Sequence, residues 1–474
     1  MIIAQLPHLR VELTAREYKN AMASVSLVCS AFRKEGQKGL FRCILYDGSV
    51  EADAPILGAR AFWHSLLREG DGNAQRLAAY VRECTLLCGP TDYSEHDVWV
   101  TDIMATLASF HQVETVNMEY MHVDGRLLAI LAGMPLLHTV TLDGCLSLHS
   151  ESTIVTPPPG RSSWTHITLR GSYLSHLWAE FFRKVVDVDR LESLYVDDWV
   201  VCDRLFQEAI FPSLKKFGIF VQGVHYVLPQ LISVLRRIPM VEQLSLHLHQ
   251  PSSRQLHLQP LSLQLLPHVR HLTTTTTQFA SWLLPGRSIT SLAITRHDGD
   301  VSDEHFQSAI RASQAHIREL SIPLDLVSTL RQHDWPELQT LKIQAPVTPH
   351  HPFLRWMDLA LPEPIYTVTT LVCQLNLVFQ ENKGASPQLR SQKAEILDRL
   401  VPAFPNAVQC SFGEAIQWRR EEAGEWHPRV LSRPRLVEAL YKGFEEVEDV
   451  DGFLAAFRAA NPLCTEYQGY SEPR

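Results

Sequence analysis

Between Val81 and Phe412 the chain returns about thirteen times to one short pattern, apolar-x-x-apolar-x-apolar. Val241-Glu-Gln-Leu244-Ser-Leu246 is a clear instance, and Leu338-Gln-Thr-Leu341-Lys-Ile343 repeats its spacing almost a hundred residues later. The phrases begin at Val81, Val113, Leu137, Trp164, Leu191, Leu214, Val241, Val269, Ile289, Ile317, Leu338, Val368 and Ala407. Alternate residues of a strand share a face, so the fourth and sixth residues of each phrase predict a short strand with one buried side. Of those twenty-six positions, all but one are apolar or Cys. The exception is Thr274, in the run Thr273 to Thr277, which makes the phrase at Val269 the weakest member.

The phrases lie twenty to thirty-nine residues apart, averaging about twenty-seven. Amphipathic segments fall between them, among them Val98 to Phe110, Ser175 to Val186, Leu228 to Ile238 and Asp303 to His316. Pro135, Pro212, Pro239, Pro267, Pro336 and Pro405 each stand two residues before a phrase. Proline lacks an N–H and disfavours helix in the residue before it, so it suits the exit from a helix into the next strand. The period resembles that of leucine-rich repeats, in which each unit is a strand plus a returning helix or loop. Strands stack about 4.8 Å apart while helices need roughly 10 Å, so such a stack curves with its parallel sheet on the concave side and its helices outside. The expected fold is therefore an α/β solenoid, leucine-rich-repeat-like, over residues 81–414.

The ends differ from the middle. Residues 1–50 read as helical, with Tyr18, Met22, Val25, Leu27, Val28 and Phe32 at helical spacing and Gly36 and Gly39 marking turns before Leu40-Phe41. Residues 51–80 read as a helical connector through Ile56, Ala61, Phe62, Leu66 and Leu67, broken at Gly70-Asp-Gly72-Asn73. Within 415–474, Ala415 to Arg419 and Glu425 to Val430 alternate in polarity around Glu422-Ala-Gly424 and predict a hairpin carrying Trp418 and Trp426. A last helix is expected over Asp451 to Ala459. Surface loops are expected at 157–160, 250–255 and 381–391.

A chain of 474 residues exceeds one ordinary core, and a solenoid resolves this because its core grows by one layer per repeat. The net charge of −9, without a Lys/Arg run, argues against a nucleic-acid partner. No apolar stretch approaches the roughly 20 residues that span a bilayer, and the start Met1-Ile-Ile-Ala-Gln-Leu-Pro has no basic leader. Its nine Cys are scattered, several at inward strand positions (Cys84, Cys373, Cys410), where Cys acts as a small hydrophobe. Reduced cysteines and no leader predict an intracellular protein, cytoplasmic or nuclear.

No P-loop, Gly-x-Ser-x-Gly elbow or His-Glu-x-x-His occurs, and no catalytic, cofactor or metal site is expected. Cys84 and Cys88, and the group His247, His249 and His257, do not offer four converging ligands of a zinc site. Asp187-x-Asp189 and Asp197-Asp198 read as residues that cap and solvate a repeat corner.

If positions four and six face the core, positions three, five and seven line the open face of the sheet. Position seven reads Glu119, Asp143, Arg170, Asp197, Phe220, His247 along six repeats, placing Arg170 between two aspartates. Position five sets Tyr195 between Thr168 and Gly218, and position three supplies Lys216. Arg170, Tyr195, Asp197, Lys216, Phe220 and His247 are thus the candidate partner-binding residues, with Tyr195 and Phe220 as aromatic anchors. The competing reading is that the charges only neutralise one another, at 0 to about 1 kcal/mol per exposed pair.

Ser26-Leu27-Val28-Cys29-Ser30-Ala31-Phe32-Arg33, followed by Leu40-Phe41-Arg42, resembles the second half of an F-box as it occurs in fungal F-box-like proteins, where a leucine-rich-repeat or irregular solenoid follows. The motif's usual opening, Leu-Pro-x-Glu, is not found in its expected form. Ile2-Ile3-Ala4-Gln5-Leu6 is similar to the end of the first F-box helix, as though the chain begins inside the motif. The resemblance implies a substrate receptor of an SCF-type ubiquitin ligase. Leu27, Val28, Phe32, Leu40 and Phe41 would dock a Skp-type adaptor and, through it, the cullin ligase, while the solenoid holds a target protein. The alternative is a free-standing repeat scaffold without ligase association.

Overall fold

The computed structural model describes residues 37–39, 41–47, 72–87, 104, 106–123, 125–147, 160–171, 176–207, 209–222, 228–249, 259–275, 277–295, 308, 310, 311, 316–344, 363–374, 393–412, 416–421 and 424–430. The expected helix over 451–459 lies outside them, as do Leu27, Val28, Phe32, Leu40 and nearly all of the three expected loops. The chain divides into two compact units, residues 1–252 with 264–269 and residues 253–263 with 270–474. Both have a solenoid-like α/β fold in which the chain returns to add one strand at a time.

In the first unit the strands run in the order β1 (Cys43–Asp47), β2 (Glu83–Leu87), β3 (Thr115–Glu119), β5 (Thr139–Asp143), β7 (His166–Arg170), β8 (Ser193–Val196), β9 (Lys216–Gln222) and β10 (Gln243–His249), each parallel to the last. A small parallel ribbon, β4 (His122–Val123) with β6 (Leu146–Ser147), sits beyond the ends of β3 and β5. Between strands run α1 (Gly72–Ala78), α2 (Gly125–Gly133), α3 (His176–Val185), α4 (Trp199–Phe206) and α5 (Leu228–Leu235). They bury one stripe each, such as Leu127, Leu128 and Leu131 of α2. Phe206 of α4 packs its ring 4.5 Å from Phe211 and 5.5 Å from Phe217 of β9, which fixes helix to sheet.

In the second unit β11 (His271–Thr274), β12 (Ser291–Ile294), β13 (Glu319–Pro323), β14 (Thr340–Gln344), β15 (Thr370–Gln374) and β16 (Gln409–Phe412) are parallel in that order. The predicted hairpin follows as β17 (Ile416–Arg420), antiparallel to β16, and β18 (Trp426–Val430), antiparallel to β17, with Trp418 and Trp426 buried. One helix, α6 (Thr277–Leu283), is complete among the described residues before β12. Only twenty-one residues separate Ile317 from Leu338, and there two 3₁₀ turns, Leu324–Thr329 and Gln332–Asp334, replace a returning helix.

The register predicted from the pattern holds in both units. The first residue of every phrase is buried, and so are the fourth and sixth wherever their burial is described, Thr274 included. The framed prolines have a more specific role than helix exit. Each is the second residue of a turn closed by the phrase's first N–H, as in Leu137 to Met134 O, Leu214 to Phe211 O, Val241 to Ile238 O and Leu338 to Trp335 O. Proline's fixed φ suits that position of a turn.

A second device recurs at the strand entries. The carbonyl at phrase position two accepts the N–H groups of positions two and three of the next repeat: Glu114 and Thr115 to Arg82, His138 and Thr139 to Glu114, Thr165 and His166 to His138, Glu192 and Ser193 to Thr165. The same pairing runs from Arg270 through Thr290, Arg318, Gln339 and Thr369 in the second unit.

The expectation of helix through residue 50 is corrected at Cys43–Asp47. Phe41-x-x-Ile44-x-Tyr46 has the phrase spacing, Ile44 pairs in register with Cys84, and Ile44 is buried in the same core. Half-buried Phe41 therefore occupies phrase position one and leads into the first strand.

Candidate functional site

The middle row of the first unit's open face carries mostly small polar side chains. Position five reads Thr85, Asn117, Thr141, Thr168, Tyr195, Gly218 and Ser245 from β2 to β10, all in register. Tyr195 is the one large side chain in that row, and its neighbour on β9 has none. The ring leans across Gly218, so that a Cβ on residue 218 would meet Tyr195 Cδ2 at 2.3 Å. Gly218 is buried beneath it.

The guanidinium carbon of Arg170 lies 4.8 Å from the Tyr195 ring centroid, a cation–π geometry worth about 0.5–1 kcal/mol at an exposed site. The His247 ring lies 6.1 Å away from the same centroid. Side chains from β7, β8 and β10 thus meet over the β9 glycine. Burial pushes the Tyr195 phenol above its ordinary value; Arg170 opposes this, and Asp197 and Asp143 add to it. The phenol therefore stays a hydrogen-bond donor. Burial, then the charge of Arg170, holds the His247 imidazole below its usual value and keeps it neutral near pH 7.

The predicted ladder of alternating charge is only partly a row of equals. Asp143 and Arg170 are register partners, whereas Asp197 lies just past β8, where its carboxylate accepts the N–H of Gly171. Asp198 is the N-cap of α4 and accepts from the Val200 and Val201 N–H groups. Asp187 accepts from the Asp189 N–H and pairs with Arg161 at 3.2 Å, so both acidic corners do organise turns. Phe220 is half-buried beside His247 in register. Lys216 belongs to the position-three row, exposed, in register with Ser193 and Gln243, and does not join the Tyr195 group. Cys84 is wholly buried at phrase position four, and its thiol is pushed far up by that burial; Cys88 lies outside the described residues.

One feature escaped the pattern. The residue after position seven is left-handed in three consecutive repeats: Tyr120 (φ 55°), Gly144 (φ 63°) and Gly171 (φ 54°). Their N–H groups donate in turn to Asp143 O, Arg170 O and the Asp197 carboxylate. Gly144 and Gly171 were visible as glycines following a charged residue. Tyr120 takes the same conformation without that freedom, and its side chain rests against Gly144, where a Cβ would come within 2.6 Å of Tyr120 Cδ1.

No protein-family model matches the chain, and no curated protein matches it.

Proposed function

We propose that the chain is a protein-interaction module that binds a target through the open sheet face of its first unit. The observation that carries this reading is the Arg170–Tyr195–His247 group, an aromatic anchor over a glycine notch flanked by Arg170 from β7 and His247 from β10. A residue already fixed by its neighbours loses little freedom when a partner docks, which favours affinity.

Within that reading the resemblance of residues 24–45 to an F-box supports a substrate receptor of an SCF-type ubiquitin ligase. It would raise the local concentration of its target near the ligase and perform no chemistry itself. The second reading, a repeat scaffold without ligase association, is favoured by one observation. Phe41 leads into β1, and the adjoining residues of the F-box-like stretch are part of the sheet.

A pull-down of the full chain with purified Skp-type adaptor separates the two, with Leu27→Asp/Phe32→Asp as comparison and circular dichroism as the folding control. Binding by the wild type and not by the variant supports the receptor. A folded wild type that does not bind leaves the scaffold. In either case Tyr195→Ala and Phe220→Ala should weaken binding of the captured target, and unchanged affinity would remove the patch.

A further inference from the structure

Beyond the ends of β3 and β5 lies a second surface that neither the Tyr195 group nor the core uses. Tyr120 is 67% exposed and Leu146 is 38% exposed. The two are tied together by the backbone, since the Leu146 N–H donates to Met121 O at 2.8 Å and the Tyr120 N–H to Asp143 O at 2.8 Å. Both are large apolar residues left open to water, and Tyr120 is held there by a left-handed backbone that glycine takes at the equivalent place in the next two repeats.

The rim of this pair is acidic. Glu119, directly before Tyr120, and Asp143, directly before Gly144, are register partners on adjacent strands. Like charges directly opposite each other across a sheet repel. Neither carboxylate makes a hydrogen bond or an ion pair through its side chain among the described residues. The next side chain along the row, Arg170, has its guanidinium over Tyr195 on the far side of β7. The surface is therefore an exposed aromatic and aliphatic pair bordered by two carboxylates, neither of them in an ion pair among the described residues.

We infer that this corner docks a basic segment of the partner protein, one lysine or arginine side chain laying its apolar stem on Tyr120 and Leu146 and its charged head between Glu119 and Asp143. Long cationic side chains bury their stems on apolar surface while keeping the charge at a polar edge, which matches this layout. A cation placed there gains from the Tyr120 ring and relieves the repulsion between the two carboxylates. The excess of Asp and Glu over Lys and Arg in the whole chain, 52 against 43, favours the approach of a basic partner. This inference rests on the reading of the chain as a protein-interaction module.

The test is selection of random peptides displayed on phage against the full chain, followed by fluorescence anisotropy of the enriched peptides and of their citrulline or acetyl-lysine analogues. The expected result is enrichment of peptides with Lys or Arg next to apolar residues, bound about tenfold more tightly than their neutral analogues. Glu119→Gln/Asp143→Asn should abolish that preference for charge. Tyr120→Gly, which suits the left-handed backbone and keeps the fold, should weaken both forms. Enriched peptides without Lys or Arg, or a preference for charge that survives Glu119→Gln/Asp143→Asn, would overturn the basic partner and leave the interaction module standing. If no peptide is enriched on the folded chain, the module reading itself fails, and this inference with it.

Discussion

Tyr195 and Gly218, opposite each other on β8 and β9, fit as ring and notch: the aromatic side chain occupies the space a side chain at 218 would need. Gly218 does not have a left-handed backbone, so space alone makes glycine fit there. Gly218→Ala should push the Tyr195 ring off β9 and cost about 1–3 kcal/mol by overcrowding. Urea denaturation measures the cost. In Tyr195→Ala/Gly218→Ala the second substitution should be nearly neutral, and a full cost in that background would mean the ring does not fill the notch.

Acid should loosen the first unit. His247 and His166 are held below their usual value near 6.5, each chiefly by burial, so the folded chain binds fewer protons than the unfolded one just below that pH. Stability is full above about pH 6.5 and falls as the pH drops below it, until the folded imidazoles also protonate. His247→Gln/His166→Gln should flatten this part of a plot of denaturation midpoint against pH. An equally steep plot would assign the acid sensitivity to other groups.

The described cysteines divide by access. Cys84, Cys202 and Cys410 are buried with thiols pushed well above their usual range by that burial, and the Cys145 thiol is pushed up to about 11. Iodoacetamide at pH 8 should leave all four unmodified in the folded chain and label them in denaturant. Half-buried Cys43, with its sulfur 3.2 Å from a Glu83 carboxylate oxygen, lies in the sheet at β1 rather than in the core. Peptide mass mapping reads the pattern, and rapid labelling of Cys84 would contradict its place in the core.

The framed prolines should act through the unfolded chain. Pro239 is the second residue of the turn closed by Val241 N–H to Ile238 O. Pro239→Ala leaves that bond available and frees the unfolded backbone, so the expected loss is about 0.4–1 kcal/mol. A larger loss in thermal denaturation would show that the ring itself packs against the fold.

The strand register was legible because a buried strand face writes itself into every second residue, and even polar Thr274 followed its row into the core. The hairpin was legible for the same reason. The strand at Cys43–Asp47 was not: its Phe41, Ile44 and Tyr46 carry the spacing, but they follow a helical pattern and end on a tyrosine. The two 3₁₀ turns between Ile317 and Leu338 were not read from the sequence, which offers no amphipathic helical pattern there. At the site, Tyr195 and its two flanking rows could be placed from register alone. The side chains' lean across strands, and the left-handed backbone of Tyr120, depend on contacts that no residue type announces.

The carbonyl at phrase position two has a consequence for how the chain is made. In every pair described, the acceptor lies upstream and the two N–H groups that reach it lie downstream, so each strand begins on a template already laid down. In a chain emerging from the ribosome amino end first, the acceptor for each of these strand entries is made before the N–H groups that use it. Within each unit, growth at one end is enough, and the order of synthesis becomes the order of assembly.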